Sequence, residues 1–176
     1  MDPVSETSQR AFDFVFHTWG CKVNTYDTGL IESRLKREGR IDSSAPRVHV
    51  LNTCAVTLEA SKEAARAIRK IKAKEPFSKV VVTGCGAQVD GGIFDSLPGA
   101  DVIVANSHKG ELETLVEKLF KGTLDQKVHR SNIFRKEELE EGGGVESDHT
   151  RAFLKIQDGC NSFCTYCVIP FARGKS

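Results

Sequence analysis

The chain has 176 residues, of which 39% are hydrophobic and 28% charged, and its formal net charge is +1. These values are ordinary for a globular protein, but they lack the basic excess common in nucleic-acid-binding proteins. No apolar run is long enough to cross a bilayer, and the polar start has no signal-peptide core. We therefore expect a cytoplasmic protein without a membrane partner.

Strand-like and helix-like segments alternate along the first two thirds of the chain. Runs rich in β-branched and aromatic residues predict strands, and apolar residues at helical spacing predict helices. In chain order these are strand 12–17, helix 26–38, strand 47–52, helix 58–75, strand 79–83, strand 101–105 and helix 109–121. Thr57 is the expected N-cap of the second helix. The alternation predicts an α/β fold, a Rossmann-like open parallel sheet with flanking helices.

The composition changes after residue 125. Six acidic residues and three consecutive glycines fall within 137–148, which predicts a mobile linker. A further strand is predicted over 152–157, and roughly thirty residues beyond the linker are too few for an independent core. We expect a first domain at 11–125, a linker at 126–149 and the truncated beginning of a second domain at 150–176.

The six cysteines form two sets of three, and disulfides are disfavoured in a reducing cytosol. One set has the spacing C-x3-C-x2-C and consists of Cys160, Cys164 and Cys167. Three thiolates this close suit an iron–sulfur cluster and leave one iron of four open to a ligand. Structural zinc normally takes four protein ligands, and the nearest other candidate is His149, upstream of the predicted strand.

The second set lies at the carboxyl ends of three different predicted strands and consists of Cys21, Cys54 and Cys85. In a parallel sheet these ends share one edge, where ligands of open α/β folds bind. Helices that begin there favour thiolates and an anionic cluster. The alternative is three unrelated buried cysteines, the usual fate of free cysteine.

Sequences around both sets resemble those of the radical S-adenosylmethionine (SAM) methylthiotransferases. The C-x3-C-x2-C loop has an aromatic residue before its last cysteine, and Val-Ile-Pro-Phe-Ala-Arg-Gly follows at 168–174. Gly-Cys-Lys-Val-Asn at 20–24, Asn-Thr-Cys-Ala-Val-Thr at 52–57 and Thr-Gly-Cys-Gly-Ala-Gln at 83–88 resemble the three signatures of the family's N-terminal domain. The resemblance covers nearly the whole chain in the expected order.

This resemblance implies two [4Fe–4S] clusters and SAM as cofactors. One cluster, with SAM on its open iron, would be held by Cys160, Cys164 and Cys167. The other, whose open iron hosts the sulfur to be attached, would be held by Cys21, Cys54 and Cys85. Tyr166 would lie near the SAM adenine, the alternative being a packed loop aromatic. The second domain would be the start of a radical SAM barrel.

The residues around Cys21 are most similar to the branch that acts on threonylcarbamoyladenosine in tRNA. Branches that act on isopentenyladenosine or on a ribosomal protein differ there and remain alternatives. The implied reaction replaces an aromatic C–H bond by C–S–CH3: one SAM methylates the sulfur, and another yields the radical that removes the substrate hydrogen. The implied partners are tRNA, contacted mostly by domains outside this chain, and an electron donor. The chain alone is not expected to turn over.

Two interpretations from other classes stay open, a non-catalytic iron–sulfur or zinc-binding module and an RNA-binding module. The second helix has a basic face that is either solvated or in contact with RNA phosphates, formed by Lys62, Arg66, Arg69, Lys70 and Lys74. Asn24 and Asn52 either orient backbone around the cluster or serve caps and turns. The histidines lack ligand-like spacing and are assigned no role.

Overall fold

A five-stranded sheet forms the centre of the protein in the computed structural model, which describes residues 10–135 and 153–176. Its strands lie side by side in chain order as β1 (Asp13–Thr18), β2 (Arg47–Thr53), β3 (Lys79–Gly84), β4 (Val102–Ala105) and β5 (Val128–His129). All four pairings are parallel. The predicted open parallel sheet with flanking helices is therefore confirmed. The short β5 is an addition, and it lies in residues that the sequence assigned to the linker.

Six helices are described: α1 (Lys22–Arg37), α2 (Leu58–Lys74), α3 (Cys85–Val89), α4 (Gly91–Phe94), α5 (Leu112–Lys121) and α6 (Ile169–Arg173). Two 3-10 turns are at Asn106–Glu111 and Ile133–Arg135. The structure starts α1 four residues earlier than predicted, which makes Cys21 its N-cap. At α2 the Thr57 hydroxyl accepts a hydrogen bond from the Ala60 N–H at 3.3 Å, as expected of a cap.

Helices cover both faces of the sheet, so alternate strand residues enter two separate cores. On β2, Val50 packs in the core formed with α1 and α5, whereas Leu51 packs in the core formed with α2. Both side chains are almost fully buried. Burial on two faces explains why the strands are near-continuous apolar runs, and each buried aliphatic side chain contributes about 1.5–3 kcal/mol.

Residues 153–176 form a mostly irregular segment that packs against the sheet domain. The strand predicted over 152–157 is wrong for its described part, because no strand among the described residues pairs with 153–157. Aromatic rings anchor the segment instead: Phe134 lies 5.6 Å from Phe163 and 5.8 Å from Phe171 between ring centroids. Residues 136–149 of the predicted linker and Ala152 lie outside the described residues, so their mobility and the domain boundaries stay predictions.

Candidate metal centre

The parallel register aligns the ends of three neighbouring strands. Thr53 pairs with Gly84 across β2 and β3, and Gly84 pairs with Ala105 across β3 and β4. The first residues beyond these strands are Cys54, Cys85 and Asn106. Because neighbouring strands lie about 4.8 Å apart, these three residues start from adjacent positions in one row.

The end of β1 brings the third cysteine to the same edge. Thr18 pairs with Asn52, so Gly20 lies level with Cys54 and Cys21 is one residue further out. Cys21 is exposed, whereas Cys54 is buried. The structure thus places all three predicted thiols at the carboxyl edge of the sheet.

Two glycines allow the chain to pass this edge closely. A Cβ on Gly20, which has a φ of +106°, would lie 2.8 Å from the Cys54 sulfur. A Cβ on Gly84, with a φ of +93°, would overlap Asn52 and the backbone of Thr53. Only glycine combines these backbone angles with so little space. These glycines therefore keep the loops before Cys21 and Cys85 tight against β2.

Asn24, in the first turn of α1, connects the strand ends. Its side-chain N–H group donates hydrogen bonds to the carbonyls of Trp19 at 2.8 Å and Thr53 at 3.0 Å. Its side-chain oxygen accepts from the Cys85 thiol at 3.7 Å and from Arg173 at 2.7 Å. This single amide thus contacts the ends of β1 and β2, a cysteine, and the segment 153–176.

Asn52, near the end of β2, forms hydrogen bonds to the same helix. Its side chain donates to the Asn24 carbonyl at 2.9 Å and to the Thr28 hydroxyl at 3.0 Å. Both asparagines therefore orient backbone and side chains at the cysteine edge, and a role around a cluster stays a prediction.

The three thiols have different surroundings. Cys21 is the N-cap residue of the 16-residue α1, at the positive end of the helix dipole. The Val56 N–H donates to the Cys54 sulfur at 3.3 Å. Burial raises the pKa of Cys85, and the charges of Arg173 and Lys109 oppose that rise. The edge thus supplies hydrogen-bond donors and positive charge to sulfur.

The donor set fits a cluster with several irons better than a single ion. Among residues 10–135 and 153–176, no three His, Cys, Asp or Glu side chains are arranged to hold one metal ion. In a four-iron cluster each thiolate binds a different iron, so the sulfurs need not meet at one point. Three cysteines at one sheet edge are the type of donor set that such clusters use.

A buried network of charges lies beside this edge. The Asp27 carboxylate is within 2.9 Å of Lys109 and 3.0 Å of both Lys155 and Arg173, and its side chain is only 1% exposed. Arg173 and Lys155 also contact Asp158, at 2.8 and 3.2 Å. Burial alone would raise the pKa of Asp27, but the three cations hold it well below its usual range. The network joins α1 to the segment 153–176.

Sequence reasoning missed these charges. Asp27 precedes Leu30 and Ile31 by three and four residues, which puts it on the buried face of α1, and that spacing is a readable signal. The sequence gives no signal that Lys109 is part of the network, because a lysine is expected at the surface unless a buried partner is known. Arg173 lies in the segment that carries the family resemblance, but no role follows from that resemblance.

The C-x3-C-x2-C loop is more open. Cys164 is exposed, and Cys160 and Cys167 are half-buried. Hydrogen bonds from Ser162 lower the pKa of the Cys160 thiol. The main cause is the bond from the backbone N–H of Ser162 to the Cys160 sulfur, at 3.5 Å. Tyr166 is 90% exposed, so nothing in the described chain packs over it. The role of Tyr166 beside SAM stays a prediction.

The basic face of α2 lies elsewhere on the surface, with all five of its cations exposed. A groove of about 560 Å³ between β1 and α2 is lined by Lys70 and Lys74, and its described lining contains none of the six cysteines. Within it, His17 contacts His49 at 3.0 Å, and His49 contacts Glu75 at 3.2 Å. These two histidines and Glu75 thus form a chain of side-chain contacts that the spacing of histidines in the sequence does not reveal.

These features define a class, an α/β protein with a parallel sheet whose carboxyl edge has three cysteines available to a cluster. The chain belongs to the family described as Uncharacterized protein family UPF0004, which it matches over residues 13–105. No helix in the described parts of the chain is both long and apolar enough to span a membrane.

Curated relatives extend the match beyond that region. The chain is 39% identical over 165 residues to the threonylcarbamoyladenosine tRNA methylthiotransferase MtaB of Aquifex aeolicus, covering 91% of this chain and 40% of the relative. The protein of the same name in Bacillus subtilis is 38% identical, with 90% and 36% covered. The tRNA-2-methylthio-N(6)-dimethylallyladenosine synthase of Thermodesulfovibrio yellowstonii is 31% identical, with 90% and 37% covered. The chain thus spans well under half the length of these relatives.

Proposed function

We propose that the chain is the N-terminal part of a methylthiotransferase that modifies threonylcarbamoyladenosine in tRNA. The observation that carries this proposal is the meeting of three strand-end cysteines beside a segment with a C-x3-C-x2-C loop. The five relatives named for this substrate are 33–39% identical to the chain, against 31–32% for the dimethylallyladenosine synthases. The identities therefore favour threonylcarbamoyladenosine over the alternative.

Each cysteine set is proposed to hold one [4Fe–4S] cluster, the first at Cys21, Cys54 and Cys85, the second at Cys160, Cys164 and Cys167. When bound, the clusters and SAM supply the homolytic and sulfur-transfer chemistry that no side chain provides. The remaining tasks belong to the chain. Asn24 holds the strand ends together, and the Val56 N–H donates to the Cys54 sulfur.

The proposal also covers the surroundings of the site. Residues 150–176 are expected to begin a radical SAM domain, with Tyr166 near the SAM adenine. The expected partners are tRNA and an electron donor, and the expected location is the cytoplasm.

Anaerobic reconstitution with iron and sulfide tests the cofactor assignment on this chain. We expect about eight irons per chain, four for each cluster, with the absorption and EPR spectra of [4Fe–4S] centres. Replacing Cys160, Cys164 and Cys167 by alanine should leave about four irons per chain. A chain that takes up zinc and no iron would contradict the proposal and favour a zinc-binding module.

Substrate identity is tested in a polypeptide of the relatives' full length that contains this chain. Supplied with SAM and an electron donor, it should add a methylthio group to tRNA bearing threonylcarbamoyladenosine, as measured by mass spectrometry of the nucleosides. Activity on tRNA bearing isopentenyladenosine, with none on threonylcarbamoyladenosine, would assign the chain to the other branch. The Cys54→Ala variant is the matched inactive control.

A further inference from the structure

The buried charge network beside the cysteine edge is not balanced by the residues that the structure describes. Its cations are Lys109, Lys155 and Arg173, and its anions are Asp27 and Asp158. Among the described residues, three cations against two carboxylates leave one positive charge in excess. The side chains of Lys109 and Arg173 are only 4% and 5% exposed. An uncompensated buried charge is costly, so an anion bound at the cysteine edge would stabilise this part of the network.

The excess charge faces a cysteine. Arg173 donates to the Asn24 side-chain oxygen at 2.7 Å, and the same oxygen accepts from the Cys85 thiol at 3.7 Å. Asn106 donates to the Cys85 sulfur at 3.7 Å and to the Ala172 carbonyl at 2.8 Å, next to Arg173 in sequence. A neutral Cys85 thiol supplies no compensating charge, whereas a thiolate that binds an anionic cluster does.

The network is assembled from two parts of the chain. Asp27 and Lys109 belong to the sheet domain, whereas Lys155, Asp158 and Arg173 belong to the segment that contains the second cysteine set. The positive charge beside Cys85 therefore comes in part from outside the sheet domain.

We propose that Arg173 is a positioning residue for the N-terminal cluster: it supplies the compensating charge at Cys85 and thereby couples cluster loading to the docking of residues 153–176. The inference rests on the proposed function, since it needs a cluster at Cys21, Cys54 and Cys85. Coupling between two equilibria is reciprocal. Loading of this cluster strengthens docking of the segment, and docking stabilises the reduced, more negative state of the cluster.

Two substitutions that break the same ion pair but change the net charge in opposite directions distinguish an effect of charge from an effect of lost structure. Arg173 and Asp158 contact each other at 2.8 Å, but Arg173→Met removes a positive charge and Asp158→Asn removes a negative one. The background is the chain with C160A, C164A and C167A, in which only the N-terminal cluster titrates. The measurement is the midpoint potential from an EPR-monitored redox titration.

Arg173→Met should lower the ratio of reduced to oxidised cluster at a fixed potential about tenfold, a shift of about 59 mV for one electron. Asp158→Asn should shift the potential upward, and by less, because Asp158 is more exposed. Arg173→Lys should restore the parent potential. Arg66→Met is the control, since this exposed arginine pairs only with Glu59 at 2.9 Å in the described chain and should change nothing.

Shifts in the same direction for Arg173→Met and Asp158→Asn, or no shift in either, would overturn the inference. If Arg173→Met does not fold, Lys155→Met forms the same opposed pair with Asp158, which it contacts at 3.2 Å. A second readout is hydrogen exchange of residues 153–176, which should slow when the cluster is loaded. Exchange that is unchanged or faster on loading would also reject the coupling.

The outcomes distinguish this inference from the proposed function. A parent chain that takes up no iron defeats both. A parent that holds a cluster, with a potential that none of the charge variants moves, defeats the role of Arg173 alone.

Discussion

Residues 10–135 and residues 153–176 differ in what keeps them in place. The first region buries apolar side chains on both faces of a parallel sheet. In the second, Leu154 and Ile156 are 84% and 89% exposed while Pro170 and Ala172 are buried, and the charges around Asp27 and an aromatic contact to Phe134 also attach it. The proposed role of Arg173 makes attachment through charge depend on the state of the cysteines, whereas apolar packing in the sheet has no such dependence. We therefore expect the docked segment, and not the sheet, to respond when an anion binds at the cysteine edge.

The sharpest contrast is expected in the free energy of unfolding. Phe94 is fully buried in the core on the α2 face, so Phe94→Ala should cost about 3–5 kcal/mol. Leu154→Ala should change it by no more than about 0.5 kcal/mol, because this side chain is exposed. Urea unfolding measures both, with Phe77→Ala, at a side chain 95% exposed, as the matched aromatic control. Equal losses in Phe94→Ala and Leu154→Ala would remove the distinction between the regions.

Asp27→Asn should detach the second region while leaving the first folded. It leaves the three cations without their shared carboxylate, a loss of about 3 kcal/mol that release of the segment relieves in part. Hydrogen exchange should accelerate across residues 153–176 and stay slow in β2 and β3. Asp42→Asn, at an exposed carboxylate bonded only to Ser44 in the described chain, is the control. Unchanged exchange in the segment would show that charge does not hold it.

Lowering the pH should also detach residues 153–176, and this is the smallest of the expected effects. The pKa of Asp27 is lowered in the folded chain, so its stabilising contribution is fully present above its unfolded value of about 4. That contribution is lost only as the pH falls through the lower folded value. Amide NMR signals of residues 158–174 should therefore stay constant from pH 7 to about pH 4 and change below it. Release of the segment between pH 7 and pH 5 would conflict with this expectation.

The sheet was predictable from the sequence because its strands are buried on both faces, and such strands are continuous apolar runs. The two-residue β5 has no such run, and only its pairing with β4 identifies it. The strand predicted at 152–157 failed for a related reason. Its apolar residues favour an extended chain, but a strand exists only beside a partner, and the described residues supply none there.

At the site, the position of the three strand-end cysteines was predictable, because a parallel sheet puts equivalent strand ends at one edge. The charges around Asp27 were not, since they depend on contacts between residues more than eighty positions apart. The position of Asn106 was predictable only in part. It follows β4 as Cys85 follows β3, but only the register shows that the two positions are equivalent.

The central claim is that Cys21, Cys54 and Cys85 hold one common cluster. The most direct test is iron content after anaerobic reconstitution of the chain with C160A, C164A and C167A, with and without Cys54→Ala. We expect about four irons per chain without Cys54→Ala and close to none with it, because two thiolates hold a four-iron cluster poorly. Retention of about four irons in the Cys54→Ala chain would contradict a shared site.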